Sequence, residues 1–356
     1  MAILLLFWEM FGQRVFWNYY SPMLGYYVLI SICQSHYFKR KPIPDMGGLF
    51  RQFVSIFGAI FIFFLNQMIM LYIFGVPQTP HDYLEFGGIL MTGHFTFIVF
   101  GFFIYGFDDF MFKGKLVGWV RSDLVKAIIW YFFIWLIWAL IFYWLVGGGH
   151  SKGSFDVADM DRFLAISQWT IIMSLLYALV FKDWIPELQR KLTIRNDFVF
   201  GIILLVAAVV IALLISYLLF ALIPYIAPWE EPLNFGEKWH HVLYMGTYPL
   251  TPAILLGTYT TNFAGTKDVG KRVLKRLMIL IPAIIVLYFA FHLLIAEPHL
   301  WINALAPDTV SEEMGLFRNE GGWFHQLDLY FNFTVSIIPL THHWFCAKAG
   351  FVEEKD

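Results

Sequence analysis

Charged side chains are scarce in this chain. Asp, Glu, Lys and Arg make up 14% of its 356 residues, whereas soluble globular proteins carry about 25%. Hydrophobic residues make up 59% and aromatic residues 20%, so a soluble protein of this length would have too few charges to cover its surface. The composition predicts an integral membrane protein. The formal net charge of -2 says little, because the distribution of charge matters here and its sum does not. We expect no nucleic acid among the partners.

Cysteines and several signature motifs are also few or missing. The two cysteines, Cys33 and Cys346, lie far apart in the sequence and form neither a disulfide framework nor a metal-ligand spacing. The sequence contains no Gly-x-x-x-x-Gly-Lys phosphate loop, which argues against an ATP-driven pump within it, and no His-Glu-x-x-His or Cys-x-x-Cys motif. Residues 1–14 lack a basic beginning and contain Glu9, so we do not interpret them as a cleaved signal peptide.

Long apolar runs dominate what the sequence does contain. A helix that crosses a bilayer needs about 20 mostly apolar residues. The segments that qualify are residues 16–36, 52–75, 86–108, 124–146, 162–182, 198–225, 241–263, 274–295 and 325–346. None alternates apolar and polar residues with a period of two, as a transmembrane barrel would. We predict an all-α integral membrane protein of about nine transmembrane helices, forming one domain over residues 1–356 in the cell (inner) membrane.

Basic residues concentrate in every second loop between the predicted spans. The first, third, fifth and seventh loops contain four, four, four and five Lys or Arg residues, and the C-terminal tail adds two, so nineteen of the 24 share one side. Basic residues are enriched on the cytoplasmic side of membrane proteins. The pattern predicts an outside N-terminus and a cytoplasmic C-terminus. A span count wrong by one would destroy this alternation.

The odd-numbered predicted spans share a polar residue followed by an aromatic one. The polar residues are Asn18, His94, Gln168, Thr247 and Asn332, separated by 76, 74, 79 and 85 positions. We interpret the chain as hairpin units of about 80 residues, at 15–80, 81–155, 156–235 and 236–300, with a final span at 320–347. The five polar residues would then lie at similar depths. There they either line a central cavity or form hydrogen bonds between helices.

Histidine is frequent for so apolar a chain, with eleven residues, and most of them fall on the predicted outer side. Imidazole and carboxylate groups together suit copper, iron or zinc. The clearest group combines the beginning of the seventh span with the ends of the eighth and ninth. The predicted metal ligands are His240, His241, His292, His299, His325, Glu237 and Asp328. The alternative is a set of histidines scattered along the membrane interface.

Haem is a variant of the metal prediction. His36 ends the first predicted span on the inner side, and His342 and His343 end the ninth at a matching depth. Two histidines at equal depth on facing helices are what a b-type haem requires. Copper, iron and haem are therefore the candidate cofactors.

These features leave three functions open. The first is an integral membrane subunit of a multi-subunit redox or metal-dependent complex, with the lipid bilayer and other membrane or extracytoplasmic subunits as partners. The second is a transporter or channel for a small or apolar solute. The repeat favours it, although no Asp or Glu lies in the middle third of any predicted span, where proton-coupled carriers commonly keep one. The third is a structural membrane anchor. The sequence also leaves open whether the chain is an enzyme.

Overall fold

The computed structural model describes twelve stretches of the chain. They are residues 22–23, 25–30, 48–74, 93–94, 96–99, 101, 123–145, 157–181, 183–226, 235–259, 268–291 and 332. The helices are α1 (Gly48–Phe74), α2 (Asp123–Leu145), α3 (Val157–Leu179), α4 (Ile185–Lys191), α5 (Asp197–Ile226), α6 (Phe235–Met245), α7 (Leu250–Tyr259) and α8 (Val269–Phe291). Helical residues also occur within 22–30 and 93–101, and none of the described stretches contains a strand. The all-α class is confirmed for this part of the chain.

Among the described residues, three helices are long and apolar enough to cross a membrane. They are α1 through Gln52–Ile69, the whole of α5 and the whole of α8, while α2 contributes a shorter apolar stretch. Their exposed surface is apolar: Phe61, Leu214 and Val286 each leave about two thirds of the side chain uncovered by protein. Such surfaces indicate a lipid bilayer as the surroundings. The count of nine spans, the hairpin repeat and the orientation stay predictions.

Burial separates the described helices into two sets. The inner helices are α3, α6, α7 and the segments at 22–30 and 93–101, and most of their side chains are buried. The outer helices are α1, α2, α5 and α8, which expose large apolar side chains along one side. Helix α3 packs against α5, α6 and α7. It is therefore the centre of the part of the core formed after residue 157.

The contact between α3 and α5 depends on small residues. Helix α5 buries Leu204, Ala208, Ala212 and Ser216, one in every turn, and its opposite side faces outward. In a bilayer the hydrophobic effect does not drive helices together, so close backbone approach through small side chains supplies much of the attraction. The alanines at 208 and 212 allow that approach.

Two glycines define how α3 runs relative to α6 and α7. A Cβ atom on Gly246 would lie 2.7 Å from the side chain of Gln168, and one on Gly257 would lie 2.5 Å from Leu179. In both cases the contacted residue lies 78 positions earlier in the sequence. A constant offset along two helices means that they run parallel, so α3 and the α6–α7 pair point the same way through the core.

The segments at 22–30 and 93–101 are also parallel. A Cβ atom on Gly25 would lie 2.6 Å from Ile98, and one on Gly101 would lie 2.6 Å from Leu29. The contacted positions increase together along the two segments. Glycine at 25 and 101 leaves room for the side chains of Ile98 and Leu29 to lie against the neighbouring segment.

Candidate functional site

The seventh predicted span is interrupted. The sequence predicts one helix over 241–263, but α6 ends at Met245 and α7 begins at Leu250, and residues 246–249 between them are buried. The N–H groups of residues 246–248 each bond to a carbonyl only three residues earlier, at 3.2, 2.9 and 3.3 Å. Pro249 and Pro252 have no N–H. The α-helical pattern therefore stops and resumes within the core.

Two of the buried carbonyl groups that lose their helical donors at the break are those of Val242 and Gly246. The N–H groups that would bond to the carbonyls of Val242 and Gly246 in an α-helix bond elsewhere, at Leu243 and Thr247. Side chains of helix α3 supply hydrogen-bond donors to both carbonyl groups. Trp169 donates through Nε1 to the Val242 carbonyl at 3.0 Å, and Gln168 donates through Nε2 to the Gly246 carbonyl at 3.3 Å. Irregular backbone at membrane depth is tolerated where protein groups satisfy it.

Thr247, inside the break, connects it to Asn332. The Asn332 side chain donates through Nδ2 to Thr247 Oγ1 at 2.9 Å, and the same hydroxyl donates to the Tyr244 carbonyl at 2.7 Å. Thr251 donates in turn to the Asn332 carbonyl at 3.3 Å. All four residues are buried. The two ends of the broken helix are thus both tied to residue 332.

A second buried network surrounds His94. The hydroxyl of Tyr26 lies 2.6 Å from His94 Nδ1, and Asn66 donates through Nδ2 to the Tyr26 oxygen at 2.8 Å. Tyr131 donates to Asn66 Oδ1 at 2.8 Å. The His94 ring stacks on Phe63 with 4.9 Å between ring centres. The network joins four separate helical stretches: 22–30, α1, 93–101 and α2.

The five polar positions of the predicted repeat can now be placed, apart from Asn18, which lies outside the described residues. His94, Gln168, Thr247 and Asn332 are all buried, with at most 2% of each residue exposed. The sequence left two alternatives, a cavity lining or hydrogen bonds between helices. Gln168, Thr247 and Asn332 take part in hydrogen bonds that join different parts of the chain.

The two adjacent histidines of the predicted metal site have different partners. His240 Nε2 lies 3.1 Å from Asp161 Oδ1 at the beginning of α3, whereas His241 Nε2 lies 3.2 Å from the Tyr288 hydroxyl near the end of α8. Adjacent residues on a helix point about 100° apart, so one side chain meets α3 and the next meets α8. Helix α6 is thus held between them by polar contacts.

The remaining predicted ligands fall mostly outside the described residues. His292, His299, His325 and Asp328 lie there, as do the candidate haem ligands His36, His342 and His343. Glu237 is described only as part of the α6 backbone. Within the described stretches, no group of three or more His, Cys, Asp and Glu side chains is arranged to hold a metal ion. The metal site and its cofactors stay a prediction.

Several residues that make buried polar contacts were not expected from the sequence: Tyr26, Asn66 and Tyr131 around His94, and Asp161, Tyr288 and Arg276 elsewhere in the core. Asp161 is only 2% exposed, although it lies one position before the predicted fifth span. Tyr288 lies within the predicted eighth span. Arg276 is one of the five basic residues assigned to the seventh loop, yet it is fully buried. The available signal was position: Asp161 and Arg276 flank apolar runs closely enough to be drawn into the core.

Charged contacts mark both ends of α3. Asp161 meets His240 at one end. At the other end Arg276 donates to the Val180 carbonyl at 2.7 Å and lies 3.3 Å from Asp183 Oδ2. Nineteen residues separate Asp161 from Val180, which corresponds to roughly 28 Å along a helix. This length matches the roughly 30 Å hydrocarbon core of a bilayer.

Comparisons with known proteins return nothing: no family model, no curated protein and no solved structure matches this chain.

Proposed function

We propose that this chain is a membrane carrier or channel for a small or apolar solute, in which the broken helix α6–α7 is the working element. The observation that carries the proposal is the buried break at residues 246–249. In transporters, discontinuous helices with exposed backbone groups form substrate and ion sites near the membrane midplane. A protein that serves only as an anchor has no need of this arrangement, which weakens a helix inside the membrane.

The contacts around the break suggest how the element moves. Helix α6 and the break are held by polar contacts that can be exchanged. Trp169 donates to the Val242 carbonyl in α6, Gln168 donates to the Gly246 carbonyl in the break, and Asp161 contacts His240. Turning α6 about residues 246–249 would release these bonds and expose the Val242 and Gly246 carbonyls. Exposed carbonyls then become available to a hydrogen-bond donor on a solute or to water.

The proposed architecture has nine spans with the N-terminus outside, built from hairpins. The two parallel helix pairs support it, because parallel neighbours require an intervening crossing. The division into inner and outer helices supports it as well, since each hairpin would contribute one of each. On this topology the His240 end of α3 faces outward and the Arg276 end faces the cytoplasm.

Two single-cysteine variants test whether the break opens. Cys33 and Cys346 are replaced by Ser, and a single cysteine is placed at Ala253, in the first turn after the break, or at Ala208, in the α3–α5 contact. Both alanines are fully buried. In proteoliposomes we expect a small membrane-impermeant thiol reagent to label Ala253→Cys several-fold faster than Ala208→Cys. Equal, negligible labelling of both would overturn a moving element at this place.

Solute flux is the direct assay. Proteoliposomes and protein-free liposomes are exposed to gradients of urea and glycerol, and their volume change is followed by light scattering. We expect faster equilibration with protein for at least one solute. If both preparations respond alike and Ala253→Cys stays unlabelled, the carrier proposal fails and an anchor is favoured.

A redox or metal-site subunit is the second candidate. The observation in its favour is the position of His240 and His241 at the same end of the core, with the carboxylate of Asp161 3.1 Å from the first imidazole. Metal analysis and a visible spectrum of detergent-purified protein, with any partner subunits retained, test it. Stoichiometric copper, iron or a haem band that disappears in His240→Ala would favour this candidate. A colourless, metal-free protein would remove it.

A further inference from the structure

The hydrogen atoms of the His94 network can be assigned from its partners. Asn66 donates to the Tyr26 oxygen, which leaves the hydroxyl hydrogen of Tyr26 available to His94 Nδ1, 2.6 Å away. Nδ1 therefore accepts. A neutral imidazole carries one hydrogen, and when one nitrogen accepts, the other carries it. The geometry points to His94 as the tautomer with its hydrogen on Nε2.

The Nε2 atom of His94 is buried and has no hydrogen-bond partner among the residues that the structure describes. Buried polar groups in proteins are almost always paired, and an exception calls for an explanation such as a bound molecule. The described side chains that meet the ring are Tyr26 and Phe63; Phe97 and Asn66 contact Tyr26, and Tyr131 bonds to Asn66. In the described part of the chain none of these neighbours is a carboxylate or an ammonium group.

The other described positions of the repeat differ from His94 in this respect. Gln168 donates to a carbonyl, and Asn332 donates to Thr247, so their side chains are used to hold the core together. His94 uses one nitrogen in the same way, and its other nitrogen has no partner within the described stretches. Among these positions, a donor free for a ligand occurs at His94.

We propose that His94 Nε2–H is the hydrogen-bond donor of a binding site for a small uncharged solute with a carbonyl or hydroxyl oxygen. This inference rests on the proposed carrier or channel function and names its substrate class. The Nε2 atom offers a hydrogen and no lone pair, which suits an oxygen acceptor and does not suit a metal ion. The described side chains that meet the ring, Tyr26 and Phe63, are uncharged, which suits a neutral solute.

Tyr26 is then a positioning residue, because it holds the ring in this tautomer without touching the solute. Tyr26→Phe would remove the group that keeps Nδ1 as the acceptor. Tyr131→Phe is the matched control, since it also removes one phenolic hydroxyl from the network but leaves the Asn66–Tyr26–His94 bonds in place.

The flux test uses full-length protein in proteoliposomes with urea and glycerol as probes. We expect His94→Phe to reduce the protein-dependent flux at least tenfold, Tyr26→Phe to reduce it several-fold, and Tyr131→Phe to leave it within about twofold of the original. Wild-type flux that survives unchanged in a folded His94→Phe variant would overturn the inference while leaving the carrier function standing.

A spectroscopic test remains decisive if His94→Phe does not fold. Protein with ¹⁵N-labelled imidazole rings is measured in detergent with and without urea or glycerol. The inference expects one histidine with a protonated Nε2 whose resonance shifts in a saturable way. An Nε2 resonance that does not shift with either urea or glycerol would mean that an ordered water is bound at His94 Nε2. The solute site would then be refuted. Saturable shifts without any flux would instead count against the carrier function alone.

Discussion

The bond between Asn332 and Thr247 provides a measurable test of how the broken helix is held. Thr247→Val keeps the shape of the side chain but removes the hydroxyl, which accepts from Asn332 and donates to the Tyr244 carbonyl. Leaving buried groups unpaired costs about 1–3 kcal/mol, and inside membranes coupled side-chain bonds average about 0.6 kcal/mol with a maximum near 1.7. We expect the variant to lose about 1–2 kcal/mol of unfolding free energy, which is roughly a 5- to 30-fold change in the folded-to-unfolded ratio.

A double-mutant cycle isolates that bond from other effects. Unfolding is followed by tryptophan fluorescence in mixed micelles with increasing dodecyl sulfate, for Thr247→Val, Asn332→Leu and the double variant. We expect a coupling energy of about 0.6–1.7 kcal/mol. The control cycle pairs Thr247→Val with Tyr131→Phe, which shares no partner with it and should be additive within about 0.5 kcal/mol. A coupling between Thr247 and Asn332 no larger than in the control cycle would refute the argument.

Three further substitutions can be measured in the same unfolding assay. Gly257→Ala should lower the free energy of unfolding by about 1–3 kcal/mol, because its Cβ would lie 2.5 Å from a side chain of α3. In the control Gly270→Ala the nearest atom lies at 3.4 Å, so the free energy of unfolding should stay unchanged or rise by up to about 1 kcal/mol. Equal effects of the two substitutions would contradict the close packing at Gly257. Arg276→Met should lower the free energy of unfolding by more than about 1 kcal/mol. Lys275→Met, at an exposed position, should change it by no more than about 0.5 kcal/mol. Similar changes in the two variants would show that the buried Arg276 does not stabilise the fold. Trp169→Phe should cost about 1–3 kcal/mol by leaving a carbonyl at the break unpaired, and an unchanged midpoint would count against the capping role.

Proline and glycine show how far sequence reasoning reached at the broken helix. Pro224 in α5 and Pro282 in α8 lie inside continuous helices, so a proline in an apolar run does not by itself predict a break. At residues 246–249 the break is supported by Trp169 and Gln168, which arrive from a helix more than 70 residues earlier in the chain. Local sequence contains no information about whether such partners are in reach.

The histidine pair shows the same limit for the candidate site. The sequence places His240 and His241 near the end of a span, and burial confirms that His241 belongs to the core. The sequence does not say which side chains the two imidazole rings contact, because those contacts depend on the rotation of α6 about its axis and on the helices beside it. Asp161 and Tyr288 as partners follow only from the packing.

The all-helical character and the presence of membrane-crossing helices follow from the sequence alone. The hydrocarbon of a bilayer offers no hydrogen-bond partners to backbone N–H and carbonyl groups. Runs of about 20 apolar residues therefore form helices, in which these groups bond to one another, whatever surrounds them. Tertiary structure decided which helices are inner and which are outer, where the seventh span breaks, and which polar atoms are paired. Those outcomes depend on contacts between residues far apart in the chain, where a hydrogen-bond donor on one helix has to meet an acceptor on another.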